Sequence, residues 1–320
     1  MEAKDFNSFQ QDIQSHYQSG DYAASLSLVI EHGDDYPEYQ HLLSYWRITL
    51  LTRIGETDQA LDFLREILLT GFWYGEALLR KNPALSSLQG LEAFEELVAL
   101  NQALLQRDAE HIYPMLTLRS EGKCEAGGEP CPLLIGLHAN ACMAADSLPF
   151  WQPAAHAGWM VAAPQSSQAM WKGAYMWDDR QAAENQINEL FISLTQSYAI
   201  DPDNIILAGH SMGGDIAIWL ALTQDFPIRG FIAIGPDGPF LESMEEWAPQ
   251  FASRGLNNAR GYIIIGAEDA TIAPENIRKL TEVLNQNGFD CQLDSIPGAG
   301  RDYSPDYGEA LLRGLAYLVD

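Results

Sequence analysis

The chain predicts an α/β architecture: a mostly parallel sheet with helices on both faces, forming three layers, preceded by a smaller all-helical domain. Three observations carry this. Residues 1–110 show apolar spacing of helical period and no strand pattern. From 111 to 320, short continuous apolar runs alternate with amphipathic stretches, the pattern of buried parallel strands joined by helices. The length of 320 residues suits one large domain and one small one.

In the first part, LDFLREILL (61–69) and FEELVALNQALL (94–105) carry the clearest helical periodicity. Gly20-Asp21-Tyr22-Ala23-Ala24-Ser25-Leu26 is echoed by Gly55-Glu56-Thr57-Asp58-Gln59-Ala60-Leu61, at an offset of 35 residues. In both places a helix ends at Gly and a helix of small residues and Leu begins. The echo resembles tetratricopeptide helix pairs, whose repeat is about 34 residues. A plain helical bundle remains the alternative. The region is expected either to pack against the second domain or to present a groove to a protein partner.

In the second part, the predicted strands are 115–120, 132–139, 158–164, 204–209, 228–235, 260–266 and 291–298. Helices are predicted over 180–198, 274–288 and 305–319, the last two opening near Pro. A further stretch, FLESMEEWAPQF (240–251), reads as a short lid or as a surface helix.

Composition limits the partners. Lys and Arg total 18 against 44 Asp and Glu, a formal net charge of -26. So negative a surface repels phosphate backbones and anionic headgroups, so nucleic acid and membrane surfaces are not expected partners. No run of apolar residues is long enough to span a bilayer, and the N-terminus reads as a polar helix and not as a signal peptide. A cytoplasmic protein with reduced thiols is the expectation. Cys124 and Cys131 nonetheless flank a turn, EAGGEP, that would bring them face to face across a hairpin. No metal-ligand spacing occurs, and neither a metal nor a cofactor is expected.

The chemistry concentrates in GHSMGG (209–214). Ser211 lies just past a predicted strand and just before a predicted helix, in a G-x-S-x-G pattern. Small residues let backbone approach backbone in such a turn, which lifts the serine above the sheet. The segment AIDPDNIILAGHSMGG (199–214), with LHANA (137–141) and IGAEDATIAP (265–274), resembles the α/β-hydrolase superfamily. The likeness is to esterases of the dienelactone hydrolase and phospholipase/carboxylesterase type. It implies an α/β-hydrolase fold from about residue 113 onward, with Ser211 as nucleophile and Asp269 as triad acid. It implies an oxyanion hole from the N–H of Met212 and one from the LHANA loop, Asn140 ahead of Ala139. His138 then steadies that loop. The substrate expected is a small ester or acyl compound.

The same resemblance exposes a gap. The triad histidine belongs in the turn written here as Pro297-Gly298-Ala299-Gly300-Arg301-Asp302-Tyr303, where Arg301 stands in its place. All seven histidines precede Ser211. Arginine cannot accept a proton at physiological pH. Two functions follow as expectations: a serine esterase impaired by Arg301, or a non-catalytic descendant that binds ligand or partner. Arg301 is expected to pair with Asp269, since a guanidinium suits a carboxylate. Tyr175, Trp177 and Asp178, with Trp171 and His138, are candidates for the substrate pocket, with aromatic packing between loop and helix as the alternative.

Overall fold

The computed structural model describes residues 5–119, 123–223, 228–238, 260–301 and 305–320. The stretch 240–251 lies outside the described residues. The chain divides into two compact units. One runs as far as Ile112 and also takes in Ala169–Lys172; the other holds the remainder of the second half.

The first unit is helical: α1 (Phe6–Gln18), α2 (Tyr22–His32), α3 (Gln40–Arg53), α4 (Thr57–Leu69), α5 (Glu76–Arg80) and α6 (Glu92–Ala109). Leu43, Ile48, Leu64 and Phe94 are buried between them. The sequence echo corresponds to one turn built twice. Gly20 and Gly55 have φ of 81° and 86°, a left-handed conformation that glycine adopts without strain. After α1, Asp21 N–H reaches His16 O at 2.9 Å and Gly20 N–H reaches Tyr17 O at 3.1 Å. After α3, Glu56 N–H reaches Leu51 O at 2.9 Å and Gly55 N–H reaches Thr52 O at 3.1 Å. Each pair of bonds satisfies the last carbonyls of a helix and reverses the chain. The segment 169–172 runs beside Trp73–Gly75, with Gly75 N–H on Met170 O and Lys172 N–H on Trp73 O.

The second unit is an α/β sandwich. Its sheet consists of β1 (Met115–Leu118), β2 (Cys131–Leu137), β3 (Met160–Pro164), β4 (Ile200–His210), β5 (Gly230–Ile234), β6 (Arg260–Gly266) and β7 (Asp290–Ile296). The spatial order is β1-β3-β2-β4-β5-β6-β7. β1 is antiparallel to β3, and the other pairings are parallel. Strands covered on both faces need apolar residues at successive positions, which is why they read as continuous runs. Leu133, Ile135, Leu207 and Phe231 pack toward α8 (Arg180–Ser197), α9 (Met212–Thr223) and α10 (Pro274–Gln286). Leu134, Ile206, Ile232 and Ile264 face the opposite side, with α7 (Ala144–His156) and α11 (Pro305–Val319).

Sequence periodicity did not mark α7. It contains Pro149 and Pro153, which remove two amide donors and normally argue against a helix interior. Trp151 and Ala154 are fully buried on it, and that packing overrides the local penalty. The thiols are a second difference. Cys124 and Cys131 form a disulfide where reduced thiols were expected. The turn that brings them together is held just ahead of β4: Cys131 N–H bonds Ala199 O, and Ala199 N–H bonds Cys124 O.

Candidate active site

The carboxyl ends of the parallel strands are in register. Leu137 pairs with Gly209, Gly209 with Ala233, Ile234 with Ile264, and Gly266 with Ile296. The segments that follow these strands therefore leave the sheet at one edge, where open α/β sheets bind their ligands. Ser211, Gly235–Gly238, Asp269 and Arg301 all belong to these segments.

Ser211 connects β4 directly to α9 and has φ of 54°, in the left-handed region. A serine there carries strain that the surroundings must hold. They do so through its backbone: Ser211 N–H donates to Ile234 O, and Ser211 O accepts from Gly214, Asp215 and Asp237. The turn also requires close approach. A Cβ on Gly213 would lie 2.5 Å from His138 O and 2.7 Å from Leu137 O, so α9 starts against the end of β2. Asp215, 2% exposed in the first turn of α9, pairs with Arg180 at 3.3 Å.

Met212 is the first residue of α9, so its N–H has no partner within the helix. The LHANA loop lies beside it. His138 is fully buried; its Nδ1 bonds Ala139 O at 2.8 Å, and its Nε2 accepts from Ser166 N–H at 3.2 Å. This pattern requires the neutral Nδ1–H tautomer, and burial lowers the pKa to about 4. Ala139 is half-buried, and Asn140 is exposed. Trp177 joins the two halves: its Nε1 donates to His138 O at 3.0 Å and its backbone N–H to Met212 Sδ at 3.2 Å.

The residues named for the substrate pocket thus separate. His138, Tyr175 and Trp177 are buried, at 0%, 6% and 1% exposure, and support the loop from behind. Asp178 is exposed. Trp171 packs in the core of the helical unit.

The expected pairing of Arg301 with Asp269 is not formed. Asp269 Oδ1 accepts from Thr271 N–H at 2.8 Å and Ile272 N–H at 2.9 Å. These bonds engage Oδ1 within its own turn. Arg301 Nη2 instead donates to Ser211 Oγ at 3.0 Å and approaches Asp237 Oδ2 at 3.4 Å. Asp237 was not anticipated, although Gly235-Pro236-Asp237-Gly238 is a turn signal just past a predicted strand, at the same sheet edge. His210, next to Ser211 in sequence, lies 6.0 Å from Phe150, centroid to centroid. Burial, with Arg301's charge second, lowers its pKa to about 3, which makes it a poor base. Among the described residues no cluster of three or more His, Cys, Asp or Glu could hold a metal ion.

Residues 164–313 match the family model Phospholipase/Carboxylesterase, and residues 6–110 match A/B hydrolase-like, N-terminal domain. No curated protein matches the chain. The crystal structure of an uncharacterized protein from Bacillus cereus ATCC 10987 is similar at 22% identity and a TM-score of 0.54. It covers 98% of this chain and 99% of its own. The crystal structure of esterase PE8 is similar at 18% identity and a TM-score of 0.50, covering 64% of this chain and 96% of its own. At these identities the likeness concerns the fold. With the strand–serine–helix elbow in place, the two matches identify the second unit as an α/β-hydrolase domain of the phospholipase/carboxylesterase type and the first as an A/B hydrolase-like N-terminal domain.

Proposed function

We propose that the protein is a serine-type carboxylic ester hydrolase whose turnover is held low by Arg301. Ser211 is the nucleophile. Met212 N–H and an N–H of the Ala139–Asn140 segment hold the oxyanion, and Asp269 stands in the acid's position. The observation that supports this most is Ser211 itself, in a left-handed elbow between β4 and α9.

Attack by Ser211 Oγ on an ester carbonyl forms the C–O bond and places negative charge on the carbonyl oxygen. Preset amide donors lower that barrier without reorganisation. The serine proton must leave in the same step. Arg301 is already a cation and takes no proton, so it passes to water. A hydrolase lacking a triad member still keeps a rate about a thousandfold above water, from binding and the oxyanion site. The reading needs no cofactor.

A second reading, a non-catalytic binding protein, draws on the Arg301–Ser211 hydrogen bond, which ties up the nucleophile. Hydrolysis of a short-chain nitrophenyl ester by wild type and by Ser211→Ala separates the two. Turnover that disappears in Ser211→Ala supports the hydrolase; equal rates in both proteins overturn it.

The helical unit is proposed to contact a protein partner. No described helix is long and apolar enough to cross a membrane. The Cys124–Cys131 disulfide favours an oxidising compartment over the cytoplasm, because cytosolic thiols are kept reduced.

A further inference from the structure

Arg301 carries two features that a neutral ester does not explain. The first is position: Nη2 sits on Ser211 Oγ, at the reacting end of the elbow. The second is an unmet requirement. Nη1 is buried and has no hydrogen-bond partner among the described residues. A guanidinium presents five N–H donors in a planar fork. Leaving a donor of a charged group buried and unpaired costs its full desolvation penalty.

The neighbouring acids do not meet that requirement. Asp237 is half exposed and reaches only Nη2, at 3.4 Å, longer than the roughly 2.7–2.9 Å of a charge-assisted bond. Asp269 Oδ1 is engaged by its own turn. His210 lies close enough to feel the Arg301 charge and stays neutral, so it neither competes for an anion nor adds positive charge. Beside the fork stands the start of α9, whose first amides carry partial positive charge.

We propose that Arg301 makes this site a receptor for a small carboxylate. One carboxylate oxygen takes the Nη1 side of the fork, and the other lies against Ser211 and the Met212 amide. The ligand is the anion that ester hydrolysis would release, held without being made. The proposal shares the acyl-site reading for the Met212 amide, and it does not require turnover.

Calorimetric titration of the full-length protein with butyrate, butyramide and inorganic phosphate tests this. Butyrate is expected to bind at least tenfold more tightly than butyramide, its neutral counterpart of similar shape. Arg301→Gln should weaken butyrate at least tenfold and leave butyramide unchanged, with an unaltered circular dichroism spectrum showing that the variant folds. Equal affinity for butyrate and butyramide, no butyrate binding, or an Arg301→Gln protein that binds butyrate as well as wild type each overturns the proposal. Phosphate bound more tightly than butyrate overturns the carboxylate assignment. Ester turnover by Arg301→His reports separately on the acyl site. Turnover there with no butyrate binding to wild type removes the carboxylate proposal alone. Butyrate binding to wild type with no turnover in that variant supports the receptor and counts against the hydrolase.

Discussion

Arg301 Nη2 donates to Ser211 Oγ over 3.0 Å, so the oxygen proposed as nucleophile is held by a group that gives protons and takes none. The elbow is built and its partner is chemically wrong for a base.

Replacing that partner is the first prediction. Arg301→His puts an imidazole at the chain position that the resemblance assigns to the triad histidine, and ester turnover should rise about a hundredfold to ten-thousandfold. The rise should follow a single ionisation near the ordinary histidine value of about 6.5, measured as kcat/KM against pH. A flat profile would mean that the new imidazole is not acting as base.

Trp177→Phe removes the indole donor and leaves His138 O buried without that bond. Urea unfolding should show a loss of about 1–3 kcal/mol. An unchanged midpoint would show that the loop does not depend on this clamp.

Gly213→Ala tests the close approach at the elbow. The added methyl would lie 2.5 Å from a backbone carbonyl that cannot rotate away. Forced shifts of this kind cost about 1–3 kcal/mol. A thermal melt should move down accordingly, and a variant as stable as wild type would contradict the packing described.

Acid should weaken the fold through two histidines. In the folded protein His138 titrates at about 4 and His210 at about 3, both lowered chiefly by burial. Unfolded, both titrate near 6.5. Between these values the unfolded chain binds protons that the folded one does not, so stability is lost as pH falls from about 6.5 toward 4. The slope approaches about 1.4 kcal/mol per pH unit for each group. Denaturant melts at several pH values measure it, and His138→Gln should flatten part of the slope.

The disulfide gives a counting experiment. Of four cysteines, Cys142 and Cys291 are free. Thiol titration of the denatured, unreduced protein should find two groups and, after reduction, four. The bond joins residues 7 apart, and closing so short a loop is worth about 2–3 kcal/mol in the chain-entropy model. Cys124→Ser with Cys131→Ser should lower the melting temperature.

What the sequence disclosed follows from range. Strands β2 to β6 are legible because burial on both faces forces runs of apolar residues. Ser211 is legible because its turn needs small neighbours within a few residues. Contacts between distant segments are another matter. Nothing near Arg301 in the chain says that it meets Asp237 and leaves Asp269, since that depends on the backbone amides of Thr271 and Ile272 reaching Asp269 first. Helix α7 was hidden for the same reason: its prolines speak locally, and the burial of Trp151 speaks from across the sandwich.

The backbone bonds that fix Ser211 run to Ile234, Gly214, Asp215 and Asp237, and none of them passes through its hydroxyl. Folding is therefore blind to whether the serine works. Exchange of residue 301 leaves those backbone bonds untouched. Some arginine codons differ from a histidine codon by a single base. On the proposed reading, loss and recovery of full catalysis then lie one mutational step apart.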